Sequence, residues 1–378
     1  MFPKIRILTL ILLSVMIGML ISCSSSTEPV EVPIEEKIGQ MLLIGFRGIS
    51  ISDSNQIAKD IKNGRVGGVV LFDVDVALGY TQRNIVSPSQ VKELISSLQS
   101  FAKIPLFVGV DQEGGKVARL KEKYGFPHNV SQQYLGNLNN QDSTRYYAGV
   151  TAQTLNEVGF NLNFAPVVDL NVNPDNPVIG KIERSFSADA SIVVNNSVWV
   201  IEEHHNRNIK CTMKHFPGHG SSTSDSHQGL TDVTKTWSEI ELKPYQDIIE
   251  MGKADFIMTA HIFNSNLDAD YPATLSKNII TGILRNQLKF DGVIVSDDMN
   301  MKAITDYYGL SNAIELSINA GVDILVFGNN LIYDEMIATK AIDIIKKLID
   351  DGKISKERID ESYQRIMKMK SNLFNILI

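Results

Sequence analysis

The sequence predicts an α/β fold, a single (β/α)8 barrel of the TIM type, and three observations carry that expectation. Eight short apolar, β-branched runs recur along the chain, ending near Ile44, Phe72, Val110, Val168, Met213, Met258, Val295 and Phe327. Helical patterns fill the intervals, and near-continuous apolar strands alternating with helices belong to a parallel sheet buried on both faces. The chain carries no Gly-rich dinucleotide fingerprint, which favours a closed barrel over a doubly wound sheet. Irregularity is expected at the first strands.

Taken in order, residues 1–22 read as a signal. Lys4 and Arg6 precede an apolar stretch from Ile7 to Ile21, which stops at Ser22-Cys23. The pattern resembles a bacterial lipoprotein signal, so cleavage before Cys23 and lipidation of its thiol are expected, leaving the protein anchored rather than spanning. Ser24 after the lipidated position, by resemblance to the lipoprotein sorting rule, points to the outer membrane of a Gram-negative cell envelope. Residues 23–35 are rich in Ser, Thr, Pro and Glu and read as a flexible tether. The barrel is expected over 36–378.

Loss of Lys4 and Arg6 with the signal lowers the formal net charge from −7 to −9. An acidic body argues against nucleic acid as a partner. Cys211 is the only cysteine besides Cys23, so no internal disulfide can form, and its apolar strand predicts that it is buried.

Between the second and third apolar runs, Val91, Leu94, Ile95, Leu98 and Phe101 keep helical spacing, with Ser87 as N-cap and Pro88 as first helical residue. The fifth run leads into Lys214-His215-Phe216-Pro217-Gly218-His219-Gly220 and then Asp225-Ser226-His227. Pro217, Gly218 and Gly220 forbid a regular helix there, so a strand ending in a functional loop is expected. Residues two apart in extended chain share a side, so Asp225 can hold one ring nitrogen of His227 and leave the other for acid/base work. After the last run, Ile332, Met336 and Ile337, then Tyr363, Ile366 and Met367, read as two closing helices.

In a barrel of this kind the site lies at the carboxyl ends of the strands. Asp111, Asp169, Lys214, His215, His261, Asp297 and Asp298 all follow apolar runs at that end. A zinc site is disfavoured: His215 and His219 are four apart, but Pro217 and Gly218 break the helix that would align them. No metal and no cofactor is implied.

Five stretches carry a resemblance. They are Val110-Asp111-Gln112-Glu113-Gly114-Gly115-Lys116 with Arg119, Asn176-Pro177-Val178-Ile179-Gly180, the Lys214–Gly220 stretch, Asp225-Ser226-His227, and Val295-Ser296-Asp297-Asp298-Met299. Together they resemble the family-3 glycoside hydrolases, and more narrowly the bacterial β-N-acetylglucosaminidase branch, over roughly residues 35 to 375. The resemblance implies Asp297 as nucleophile, His227 as general acid/base and Asp225 as its orienting partner. It makes Asp111, Arg119, Arg184, Lys214 and His215 the groups that grip the terminal sugar. The implied reaction is retaining removal of terminal β-linked N-acetylglucosamine from cell-wall or chitin-derived oligosaccharides, with a small oligosaccharide as substrate and no protein partner. A β-glucosidase, an N-acetylglucosaminide phosphorylase and a silent glycan-binding lipoprotein are the alternatives. The sequence departs from the family pattern where Lys181-Ile182-Glu183 intervene between Gly180 and Arg184, and where Lys116 stands in place of an arginine.

Overall fold

The computed structural model describes residues 32–225 and 229–376. The signal, Cys23 and most of the tether lie outside the described residues, as does His227. Among the described residues no helix is long and apolar enough to cross a membrane.

Eight parallel strands close into a barrel in chain order. They are β1 (Leu42–Gly45), β2 (Gly68–Val70), β3 (Phe107–Val110), β4 (Leu162–Asn163), β5 (Lys210–Phe216), β6 (Phe256–Thr259), β7 (Val293–Asp298) and β8 (Ile324–Phe327). Pairing of Leu43 with both Val326 and Gly68 closes the ring between β8, β1 and β2. Val293, Ile294, Phe256 and Ile257 are fully buried, as a sheet covered on both faces requires. Each such side chain contributes about 1.5 to 3 kcal/mol of burial energy. The helix Pro88–Phe101 starts as its sequence predicts, with the Ser87 hydroxyl accepting the Gln90 N–H at 3.3 Å.

The first strands pair without a shift in register, and the departures fall at β4 and, further on, between β5 and β6 and between β7 and β8. In β4 only Leu162 and Asn163 form a ladder, and pairing resumes beyond it as a single bridge between Val167 and Lys214. Side chains replace the missing backbone pairs. Asn161 accepts from the Val108 N–H (2.8 Å) and donates to the Leu106 carbonyl (2.9 Å), while Asn163 does the same with the Gln112 N–H and carbonyl, both at 3.1 Å.

The closing helices are Ile337–Asp350 and Lys356–Phe374. Ile332 and Met336 are exposed and precede the first of them, whose buried stripe is Ile337, Ala341, Ile342, Ile345 and Leu348. Ile366 and Met367 are buried as expected. From the last helix the fully buried Lys370 reaches the barrel floor, where its ammonium donates to Gln40 Oε1 (2.7 Å) and the Gly67 carbonyl (2.8 Å) and lies 4.9 Å from the centre of the Phe107 ring. Burial pulls its pKa down to about 7. Cys211, in β5, is buried, and burial pushes its thiol well up.

Candidate active site

At the carboxyl ends of the strands lies a cavity of about 480 Å³. Asp111, Arg119, Arg184, Lys214, His215, Asp225 and Asp297 all line it, so the structure brings together the described residues to which the resemblance gives a role, whereas the strand-end candidates Asp169 and His261 do not line it. They come from different loops: Asp111 directly follows β3, Arg119 the hairpin after it, Arg184 the loop after β4, and Asp225 the loop after β5.

Two β-bulges let neighbouring residues point the same way. In a regular strand consecutive side chains face opposite sides. Between β6 and β5 the register moves from Ile257↔Met213 to Thr259↔Phe216, so two steps on β6 meet three on β5. The extra residue falls at Lys214-His215, and both side chains line the cavity. Between β7 and β8 the register moves from Val295↔Ile324 to Asp298↔Val326, and there Asp297 and Asp298 both line it.

The polar wall is a chain of ion pairs. Glu113 takes Arg184 in a two-pronged bond, Nε and Nη2 each at 2.8 Å, and also pairs with Lys214 Nζ at 2.6 Å. Lys214 reaches on to Asp111 at 2.8 Å, and Asp111 to Arg119 at 3.2 Å. Burial pushes the Asp111 carboxyl up, but the Lys214 and Arg119 cations outweigh it and hold the group well below the usual range. Glu113 is likewise lowered against its burial, by Arg184 and Lys214. Arg184 is held firmly charged, with Glu113 overcoming the cost of burial.

The extra residues before Arg184 fold into a tight loop. The Asn176 side chain accepts the N–H groups of Val178 (2.9 Å) and Ile179 (3.0 Å), and the Arg184 N–H returns to the Ile179 carbonyl at 3.1 Å. Lys116 pairs with Glu183 at 3.0 Å and so links the hairpin after β3 to this loop.

His215 is held in one tautomer. Its Nε2 lies 3.1 Å from Arg184 Nη2, which can only donate, so Nδ1 carries the proton and donates to Asp169 Oδ2 at 2.7 Å. Burial, then the Arg184 and Lys214 charges, keep this imidazole neutral far below its usual pKa. The other Asp169 oxygen accepts the backbone N–H of His219 at 2.8 Å and so fixes the loop that leads to Asp225.

From beneath, Glu241 holds the same loop. It is 1 % exposed, accepts the Gly220 N–H at 3.0 Å, and packs so tightly under Gly218 that a Cβ there would come within 2.6 Å of the glutamate's own Cβ. Burial, reinforced by the Asp169 charge, raises its pKa from 4.5 to about 7. An acid raised in the fold makes its full contribution below its unfolded pKa and loses it as pH climbs through the folded one. Glu241→Gln is therefore expected to remove a decline in stability of up to about 3 kcal/mol between about pH 5 and about pH 8. Thermal unfolding of both proteins across that window checks it: parallel curves would mean that Glu241 stays ionised.

Sequence reasoning missed Glu113 as a site residue, although it lies two residues after Asp111 in the same motif. Asp169 was visible as a strand-end acid, but not as the partner of His215. His261, also at a strand end, lies 3.1 Å from the Asp298 carbonyl through Nε2 and 2.9 Å from the Thr274 hydroxyl through Nδ1. Among the described residues no cluster of side chains is arranged to hold a metal ion.

Fold and pocket define a closed (β/α)8 barrel with a carboxylate- and cation-lined site at the carboxyl mouth. The chain belongs to glycosyl hydrolase family 3, whose N-terminal domain matches residues 33–369. It is 30% identical to beta-hexosaminidase A of Pseudoalteromonas piscicida over 93% of this chain and 63% of that protein, and 35% identical to the beta-hexosaminidase of Tolumonas auensis over 71% of this chain and 78% of the relative. The solved family 3 beta-N-acetylglucosaminidase from Paenibacillus sp. str. FPU-7 superposes with a TM-score of 0.83 at 32% identity, covering 92% of this chain and 64% of that one. The chain thus spans less than two thirds of the length of the Pseudoalteromonas and Paenibacillus proteins.

Proposed function

We propose that this protein is a retaining exo-β-N-acetylglucosaminidase that removes terminal β-linked N-acetylglucosamine from cell-wall or chitin-derived oligosaccharides. The observation that carries the reading is the shared cavity: Asp297 at the end of β7 and Asp225 on the loop after β5 line it together with Asp111, Arg119, Lys214, Arg184 and His215. A retaining glycosidase needs a carboxylate on one face of the sugar and a proton donor on the other. In this reading Asp297 attacks the anomeric carbon while His227 protonates the departing glycosidic oxygen, so that the C–O bond breaks as the glycosyl ester forms. Neutral His227, oriented by Asp225, then takes a proton from water, whose oxygen displaces Asp297.

Asp111, Arg119, Lys214, Arg184 and His215 grip the terminal sugar. Their mutual ion pairs hold them in place before the sugar arrives, which lowers the cost of ordering on binding. The named activities of the Tolumonas and Paenibacillus relatives support N-acetylglucosamine over glucose. Four of the five Arg184 N–H groups already have protein acceptors in Glu113, Val178 and His215, so any contact of Arg184 with the acetamido group falls to the fifth. Lipid on Cys23 places the domain at the envelope, on the outer membrane.

One experiment tests both parts. Membranes of cells expressing the protein are assayed with aryl β-N-acetylglucosaminide and aryl β-glucoside, alongside Cys23→Ser. The expected preference for the N-acetylglucosaminide is about ten- to a hundredfold in kcat/KM, the value of one or two charge-assisted contacts. The activity should leave the membrane fraction in Cys23→Ser. Faster cleavage of the glucoside would move the protein to the β-glucosidase reading, and activity that stays with the membranes in the variant would remove the lipid anchor.

A further inference from the structure

One feature of the cavity takes no part in the proposed chemistry. Its ion-paired wall comes from the loops after β3, β4 and β5, whereas the loop after β2 contributes Phe72, Val76 and Tyr80, and the loop after β8 adds Leu331 beside Asn330. Tyr80 belongs to a small hairpin in which Val74 pairs with Gln82 and Asp75 with Thr81. It lines the cavity yet is 71% exposed, with its backbone in the left-handed region at φ 66°. That conformation costs a tyrosine about 1 kcal/mol or more, and no core packing offsets it.

The hairpin beneath is braced far more heavily than a surface turn requires. Buried Asp75 pairs with Arg47 at 2.7 Å and with buried Arg83 at 3.0 Å. Arg83 also donates to the Phe46 carbonyl (3.0 Å), Asn330 Oδ1 (2.9 Å) and the Asn329 carbonyl (2.8 Å). The N–H groups of Val76 and Ala77 bond to the Asn330 side chain and carbonyl, at 3.1 and 3.0 Å. A buried ion pair with this many satisfied partners fixes geometry more than it adds stability. What it fixes is an exposed aromatic ring at the edge of a sugar-sized cavity.

We propose that Tyr80 is the stacking platform of a second binding subsite, which takes the pyranose on the leaving-group side of the scissile bond. This rests on the glycosidase reading above. The terminal sugar fills the polar part of the cavity, and the next ring of a β-linked oligosaccharide meets the mouth, where the C–H face of a pyranose packs on the phenol ring. The subsite makes the enzyme selective for the aglycone as well as for the terminal sugar.

Calorimetric titration tests it, with N-acetylglucosamine and with the non-hydrolysable S-linked N-acetylglucosamine disaccharide, on the unchanged protein, Tyr80→Ala and Tyr80→Phe. Tyr80→Ala is expected to weaken the disaccharide about tenfold and leave the monosaccharide unchanged, while Tyr80→Phe binds both as the unchanged protein does. Equal loss on the two ligands, or no loss on either, overturns the subsite. If the unchanged protein binds neither sugar, the glycosidase reading falls and takes this inference with it. Normal monosaccharide binding with an unaltered disaccharide in Tyr80→Ala removes the subsite alone.

Discussion

Asp297→Ala is expected to lower turnover of an aryl β-N-acetylglucosaminide by about four to six orders of magnitude, as loss of a covalent nucleophile does, while the unfolding transition stays close to that of the unchanged protein. Asp297 is half-buried at the end of β7, where its Oδ1 accepts the Asp298 N–H at 2.8 Å. Its neighbour has the structural duty. Asp298 Oδ1 accepts the N–H groups of Asn300 (3.0 Å) and Gly328 (2.9 Å), tying β7 to the loop after β8. Mass spectrometry after a 5-fluoro glycosyl inactivator should find the adduct on Asp297. An adduct on Asp298, or normal turnover by Asp297→Ala, would end the assignment.

Glu113→Ala should be the most damaging change in the polar wall. The Glu113 side chain is 1% exposed and is shared by Arg184 and Lys214, themselves 10% and 2% exposed. Removing it takes from two buried cations the carboxylate they share and leaves them the weaker pull of Asp111 and Asp169, and breaking a buried pair in this way costs about 3 to 5 kcal/mol. Denaturant unfolding should register that loss as a lower midpoint, and KM should rise because Lys214 and Arg184 are no longer held apart at fixed positions. Glu113→Gln, which keeps the shape and one acceptor, should lose less of both. If Glu113→Ala unfolds at the same denaturant concentration as the unchanged protein, the network does not stabilise the barrel.

Much of this was legible in the sequence, and what was not has a common cause. The eight strands were readable because apolar runs buried on two faces need no partner to be recognised. The helix at Pro88 was readable because Ser87 caps locally. The brevity of β4 was hidden, since Asn161 and Asn163 do their work against Leu106, Val108 and Gln112, some fifty residues earlier. Glu113 was hidden for the same reason: its partner Arg184 is 71 residues away. The two bulges were equally invisible, because a register shift belongs to a pair of strands and neither strand alone encodes it. Ile332 and Met336 misled because their spacing looked helical, although the helix begins only at Ile337. His227, the proposed acid/base, lies outside the described residues.

The lysine at the barrel floor has a bearing on how the molecule is made. Lys370 bonds to Gln40 across 330 residues and to Gly67 across 303, so these two groups wait for a partner synthesised long after them. On a ribosome the early βα units can collapse against one another, but the floor beneath Phe107 stays open to water until the helix Lys356–Phe374 has emerged. Contacts of such long range are slow to form, since the intervening chain must first be ordered. The barrel floor is thus sealed late, by a single ammonium group arriving from a helix some three hundred residues downstream of its partners.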